Sequence, residues 1–365
     1  MEDVSKCFEE ASRFLHREVG ICDEHGRVVA SSTPLHDAHD YRDVVAQVMS
    51  SPDPVSAEGR LFMAINEEDV QEGIAYVLGT DKAAEEVLFL LSRWIRSARL
   101  ERNTDMERQS FIKNVLLENE LDSDVPLKAR EYKIPYLNPR QALLLHFKDP
   151  CDTAQLEKII ELMPSSEDFV LAVDEHSVVV LLYGVEENTN KTEKIAFTLY
   201  DHFMKAGRKL KIGIGLKTKS LIDAAKSYRE ASLALTVGSI FQEDTDIMWY
   251  NKLGLGRLIY QLPPTLCGMF LAEVFAPDTY EALDPETLLT IDKFFDNNLN
   301  GSETSRQLFV HRNTLVYRLD KVQKITGLDL RNFDDAVLFK LASMVRKYLE
   351  TLATPEEQKA LRKRW

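Results

Sequence analysis

Between Asp81 and Leu121 the chain contains neither glycine nor proline, and this constrains the fold more than any other feature. Val87, Leu91, Trp94 and Ala98 fall at i, i+4, i+7 and i+11, the spacing of one apolar face on a helix. Phe111, Ile112, Val115 and Leu116 resume the period after the charged stretch 101–108. A long helix, or two helices in line, is expected over 81–122, joining one folded unit to others. A stripe of this kind packs against something more often than it binds a cofactor, and the same helix of a second copy is a natural partner. Around such a connector, 365 residues should form two or three domains.

Residues 1–80 read as a small α/β unit. A helix-like start holds Phe8, Phe14 and Leu15. Asp23 to Gly26 form a turn between β-rich runs at Gly20–Cys22 and Arg27–Ala30, and Leu61–Ile65 with Ile74–Leu78 suggests a second strand pair. Small antiparallel sheets with a flanking helix often serve as sensors of the PAS or GAF kind, so a small-molecule effector is expected here. Arg27, Ser31 and Ser32 beside the second strand are the candidate contacts for an anionic ligand, although each also reads as a plain surface residue. His36, Asp37, His39 and Asp40 offer metal-ligand chemistry without an identifiable third-element partner, so a solvated loop is expected and no metal or other cofactor.

Residues 123–255 alternate strand and helix signals. Gln141–Phe147 is an apolar run, Phe169–Val173 and Ser177–Tyr183 flank a polar turn, and Lys211–Leu216 is a short strand. Leu221, Ala225, Tyr228, Ala231 and Leu235 give one helical face. Residues 281–365 are almost all helical, with Asp284-Pro285 as a helix start. The expected fold class is multidomain α+β: sensor, helical connector, mixed α/β domain and all-α C-terminal domain.

Charge and cysteine usage narrow the function. The net charge of −14 argues against non-specific nucleic-acid binding by the whole chain, but 301–349 is locally basic. Cys7, Cys22, Cys151 and Cys267 are scattered and form no CxxC pair, which suits buried thiols in a reducing compartment. Glu2, Asp3, Glu9 and Glu10 do not suit a signal-peptide start, and no apolar run suits a membrane span. A cytoplasmic protein is expected.

The sharpest motif lies in 299–330. Thr304–Phe309 reads as a short helix, Val310-His311 as a tight connection and Arg312–Lys324 as a second helix. Ser305 is small enough for a close helix crossing. Leu315, Leu319 and Val322 mark the buried side of the second helix. At about 100° per residue from Leu315, Asn313, Tyr317 and Lys321 point outward, with Arg312 and Arg318 on the flanks. His311, Asn313 and Thr314, at the N-terminal end, are placed to read base edges in double-stranded DNA. A solvated helix in a bundle is the competing interpretation.

The string VHRNTLVYRLDKV, the TGLDL after it and the closing helix Phe333–Val345 resemble the C-terminal helix-turn-helix of the PucR/CdaR family, regulators of purine catabolism and sugar-diacid uptake. Ser305 replaces the alanine typical of that motif. More weakly, KIGIGLKTKSLIDAAKSYREASLALTVG (211–238) is similar to the end of the family's GGDEF-like middle domain. Its signature turn corresponds here to Val173-Asp174-Glu175-His176, which lacks the glycines that let a nucleotide approach the backbone, so no enzyme is expected. Gly213 and Gly215 before Lys217-Thr218-Lys219-Ser220 miss the phosphate-loop spacing and read as a strand end. The family's sugar-diacid segment is not matched in the N-terminal region. With the sensor-like first unit, the connector stripe and a single helix-turn-helix that needs a second copy, a ligand-responsive, homodimeric DNA-binding regulator is expected; the alternatives are a nucleotide-binding enzyme relic and a protein-binding scaffold.

Overall fold

A computed structural model describes residues 16–33, 40–67, 70–185, 190–242 and 244–352. Phe8, Phe14, Leu15, His36, Asp37 and His39 lie outside the described residues. The chain divides into two compact units, with the boundary between Ser110 and Phe111.

The first unit is built on an antiparallel sheet of β1 (Val19–Cys22), β2 (Val28–Ser31), β3 (Val55–Ala57), β4 (Arg60–Glu67) and β5 (Val70–Leu78), in the order β2-β1-β5-β4-β3. In the β1–β2 turn the Asp23 carboxylate accepts the amides of His25 and Arg27, both at 2.9 Å, and Gly26 has φ +82°. The β4–β5 ladder runs on to Glu67 and Val70, past the apolar residues that mark it in the sequence, because backbone pairing does not need apolar side chains. Strand alternation sends two residue sets to opposite faces. Cys22, Phe62, Ile74 and Tyr76 pack with Tyr41 and with Val44 and Val48 of α1 (Arg42–Met49). Val19, Ile21, Leu61, Met63, Ala75 and Val77 pack under the long helix α2 (Lys82–Leu116).

The connector is thus one helix over Lys82–Leu116. Its buried stripe is Ala84, Leu88, Leu91 and Ile95, one phase away from the one expected. Leu91 is 5% exposed within the sheet's core, whereas Trp94 is 46% and Leu90 67% exposed. The apolar arc is wider than one stripe, and the open sheet face takes the side that includes Leu88. Near its end, Phe111, Ile112, Val115 and Leu116 enter the core of the second unit.

That unit begins with a sheet of β6 (Arg140–Phe147), β7 (Phe169–Ala172), β8 (Ser177–Tyr183), β9 (Leu210–Ile214) and β10 (Ile247–Trp249), ordered β10-β9-β6-β8-β7. All pairs are antiparallel except β9–β10. The central β6 is buried on both faces, which explains its unbroken apolar run. α4 (Thr153–Glu161) and α5 (Lys191–Lys205) cover one face; α3 (Val125–Glu131), the end of α2 and α6 (Ala224–Phe241) cover the other. Gly213 and Gly215 do belong to a strand and its end. A Cβ on Gly215 would lie 2.0 Å from the Ser227 carbonyl of α6, and one on Gly213 2.1 Å from that of Ala231. The pair lets α6 lie directly on the sheet. Gly215→Ala should cost about 1–3 kcal/mol, the usual range for forced overpacking, measured by urea unfolding.

Residues 256–280, which show no clear period in the sequence, lie largely in two helices, α7 (Leu255–Tyr260) and α8 (Pro264–Val274). Their Ile259, Cys267 and Leu271 join one core with α9 (Pro285–Asp296), α11 (Arg312–Thr326) and α12 (Phe333–Leu352), while the short α10 (Gly301–Gln307) buries Thr304 and Ser305. The helical C-terminal part therefore begins near Leu255. Among the described residues, no helix is long and apolar enough to cross a membrane.

Candidate DNA-binding site

The geometry of α9 to α11 is set by local caps. The Asp284 carboxylate accepts the Thr287 amide at 2.9 Å and starts α9. Asn300 starts α10 by accepting the amides of Ser302 and Glu303, at 3.1 and 3.2 Å. α10 thus runs earlier than expected, from Gly301 rather than Thr304, because the Asn300 cap starts it there. Thr304 and Ser305 are buried, and their hydroxyls donate back to the carbonyls of Asn300 and Gly301, each at 2.8 Å. These small, internally satisfied side chains permit the close crossing of α10 on α11. His311 caps α11, its Nδ1 accepting the Asn313 amide at 3.2 Å. Gly327, with φ +79°, closes it.

Leu315, Leu319 and Val322 bury the inner side of α11 as the periodicity predicts. His311, Arg312, Asn313, Thr314 and Tyr317 are exposed, Tyr317 by 69%. Arg318 and Lys321 depart from expectation. Arg318 donates to Thr290 Oγ1 at 3.0 Å and Glu286 Oε2 at 2.7 Å, and Lys321 pairs with Asp284. Both sit on the border of the buried stripe, where the acidic start of α9 attracts them, so they fasten α11 to α9. Sequence reasoning passed over Lys324. It lies at about 180° on the helical wheel, beside Asn313 and Tyr317. Lys324 and Arg312 are exposed and form no ion pair among the described residues. The exposed face thus presents an amide, a phenol and two cations.

Lys321 and the Thr287 amide hold the Asp284 carboxyl well below the usual carboxylate range. A folded-state pKa below the unfolded one stabilises above the unfolded value and is lost as pH falls. Thermal unfolding should therefore show Tm dropping more steeply below about pH 4 in the native chain than in Asp284→Asn, which keeps a capping side chain.

The other sequence-predicted residues are placed as follows. Ser31 Oγ accepts the Tyr76 hydroxyl at 2.9 Å, and Ser32 Oγ accepts the Val19 amide at 2.9 Å. Both hydroxyls thus serve the sheet itself, while the Arg27 side chain is exposed. Burial pushes the Tyr76 phenol and the Cys22 thiol up to about 12. Asp40 pairs with Arg42. Among the described residues no group of His, Cys, Asp or Glu is placed to hold a metal. The β7–β8 turn is tight: Asp174 Oδ1 accepts the His176 amide at 2.8 Å.

Comparison with known proteins agrees with this architecture. The PucR C-terminal helix-turn-helix domain matches residues 287–345 and the GGDEF-like domain matches 118–237. The carbohydrate diacid regulator of Escherichia coli (strain K12) is 37% identical over 32% of this chain and 31% of its own length. The purine catabolism regulatory protein of Bacillus subtilis (strain 168) is 27% identical over 39% of this chain and 27% of its own. An uncharacterized protein of Haemophilus influenzae is 23% identical over 94% of this chain and 98% of its own. The chain thus spans less than a third of the length of either named regulator. The class these domains define is that of chains pairing a GGDEF-like domain with a C-terminal helix-turn-helix domain. Within it, the C-terminal domain is similar to that of the PucR/CdaR-type regulators.

Proposed function

We propose that the chain is a ligand-responsive DNA-binding transcriptional regulator that acts as a homodimer on a double-stranded operator. The observation that carries this is the exposed N-terminal end of α11: a capped, rigid helix with its apolar side buried and His311, Arg312, Asn313, Thr314 and Tyr317 turned outward. Asparagine offers bidentate hydrogen bonds to a base edge, and cations on the same face meet phosphates. Lys324 joins this set, while Arg318 and Lys321 orient the helix. Selection of duplexes from a random pool tests the proposal: the chain should enrich one sequence, and an unenriched pool would contradict it.

The first unit is the proposed sensor, of the PAS or GAF kind. Its antiparallel sheet carries a helix on each face, and the Ser31–Tyr76 pair places polar groups within the layer under α1. Leu90, exposed on α2, supports moving the dimer seam from Leu91 to the outer side of that helix. A single helix-turn-helix reads only a few base pairs, so a second copy is needed for a two-part site.

A nucleotide-processing role is disfavoured. Beside the β7–β8 turn lies a 320 Å³ cleft whose lining includes His146, Asp174, Ser177 and Tyr228. The Asp174 carboxylate occupies the His176 amide that a phosphate would use. Purified protein should leave GTP unconverted by chromatography; turnover abolished by Asp174→Ala would restore the enzyme alternative.

A further inference from the structure

The turn between α10 and α11 holds an unusual residue. Phe309 has φ +54° and is 95% exposed. Its amide donates to the Arg306 carbonyl at 3.2 Å, and the next amide, Val310, donates to Ser305 at 3.0 Å. These two bonds are the paired closure of a helix end, in which the left-handed position is normally glycine. A phenylalanine there suffers the Cβ–carbonyl crowding that glycine avoids. It also leaves an aromatic ring in water, with no ring or cation partner among the described residues. Folding explains neither feature.

What the position does have is an address. Phe309 stands two residues before the cap His311, at the end of α11 where Arg312, Asn313 and Thr314 are exposed. An apolar side chain beside base-reading residues meets one apolar group in the major groove, the C5 methyl of thymine. We infer that Phe309 is a specificity-determining contact to a thymine methyl in the operator. The inference rests on the proposed DNA-binding function and adds an apolar contact to its polar set.

The test uses the full chain, Phe309→Gly, Phe309→Asn and the duplex that the native chain selects. Both replacements tolerate the left-handed backbone, so neither should lower Tm. Each thymine in the duplex is replaced in turn by deoxyuridine, which removes only the methyl. The native chain should lose about fourfold in affinity at one such position or more, as expected for one buried carbon group. Both variants should bind the thymine duplex correspondingly more weakly and ignore that replacement. Variants that bind as tightly as the native chain, or that respond to deoxyuridine as it does, would overturn the contact. So would a Tm several degrees lower in both, which would mark Phe309 as a structural residue. If the native chain selects no sequence, the DNA-binding function itself fails, and this contact with it.

Discussion

Leu91→Asp should unfold the N-terminal unit. Leu91 packs with Leu88, Ile95, Val19 and Leu61 in one core, and an aspartate there buries a carboxylate with no partner among those side chains. The loss is expected to exceed about 4 kcal/mol, the range reserved for an unpaired buried charge or a large core defect. The second unit has its own cores and should stay folded. Circular dichroism melts should therefore lose one transition and keep another. Leu90→Asp provides the contrast. Leu90 is exposed, so its replacement should leave both transitions in place and, if the outer side of α2 is the dimer seam, convert dimer to monomer by light scattering. A Leu91→Asp protein that melts like the native chain would refute the packing of α2 on the sheet. A folded Leu90→Asp protein that stays dimeric would refute the seam.

The second large effect concerns base reading. Asn313→Ala should cost about 1–3 kcal/mol of discrimination at one base pair of the selected duplex. Arg312→Ala should weaken all duplexes alike and flatten the salt dependence by about one unit. Arg318→Ala should behave differently from both, because it releases Glu286 and Thr290 from α11. Its expected signature is a lower Tm of the C-terminal domain. Competition binding against single-base variants separates these outcomes. Equal losses on specific and random DNA from Asn313→Ala would remove it as a reader.

Much of this architecture is legible in the residues themselves. The Asp284 cap, the small Ser305 and the Leu315–Leu319–Val322 stripe act locally, so their sequence pattern and their structure coincide, whereas the Asn300 cap starts α10 three residues before the expected Thr304. The single helix α2 follows from the absence of helix breakers. What remained hidden depends on tertiary partners. The phase of α2 is chosen by a sheet face remote in sequence. Arg318 and Lys321 stand on the rim of α11, and only the position of Asp284 and Glu286 on α9 settles that they turn inward. α8 is apolar all around, with Leu266 and Met269 exposed and Cys267 and Leu271 buried, so it has no stripe to detect. The left-handed Phe309 has no signature, because its neighbours do not reveal that the helix closes there.

The most direct measurement of the central claim is fluorescence anisotropy of the full chain on its selected duplex and on a scrambled one, across a range of salt concentrations. The selected duplex should bind at least about a thousandfold more tightly. Both affinities should fall with salt, as counterion release from phosphates requires. Equal affinity for the two duplexes, or binding indifferent to salt, would contradict α11 as a sequence-reading helix.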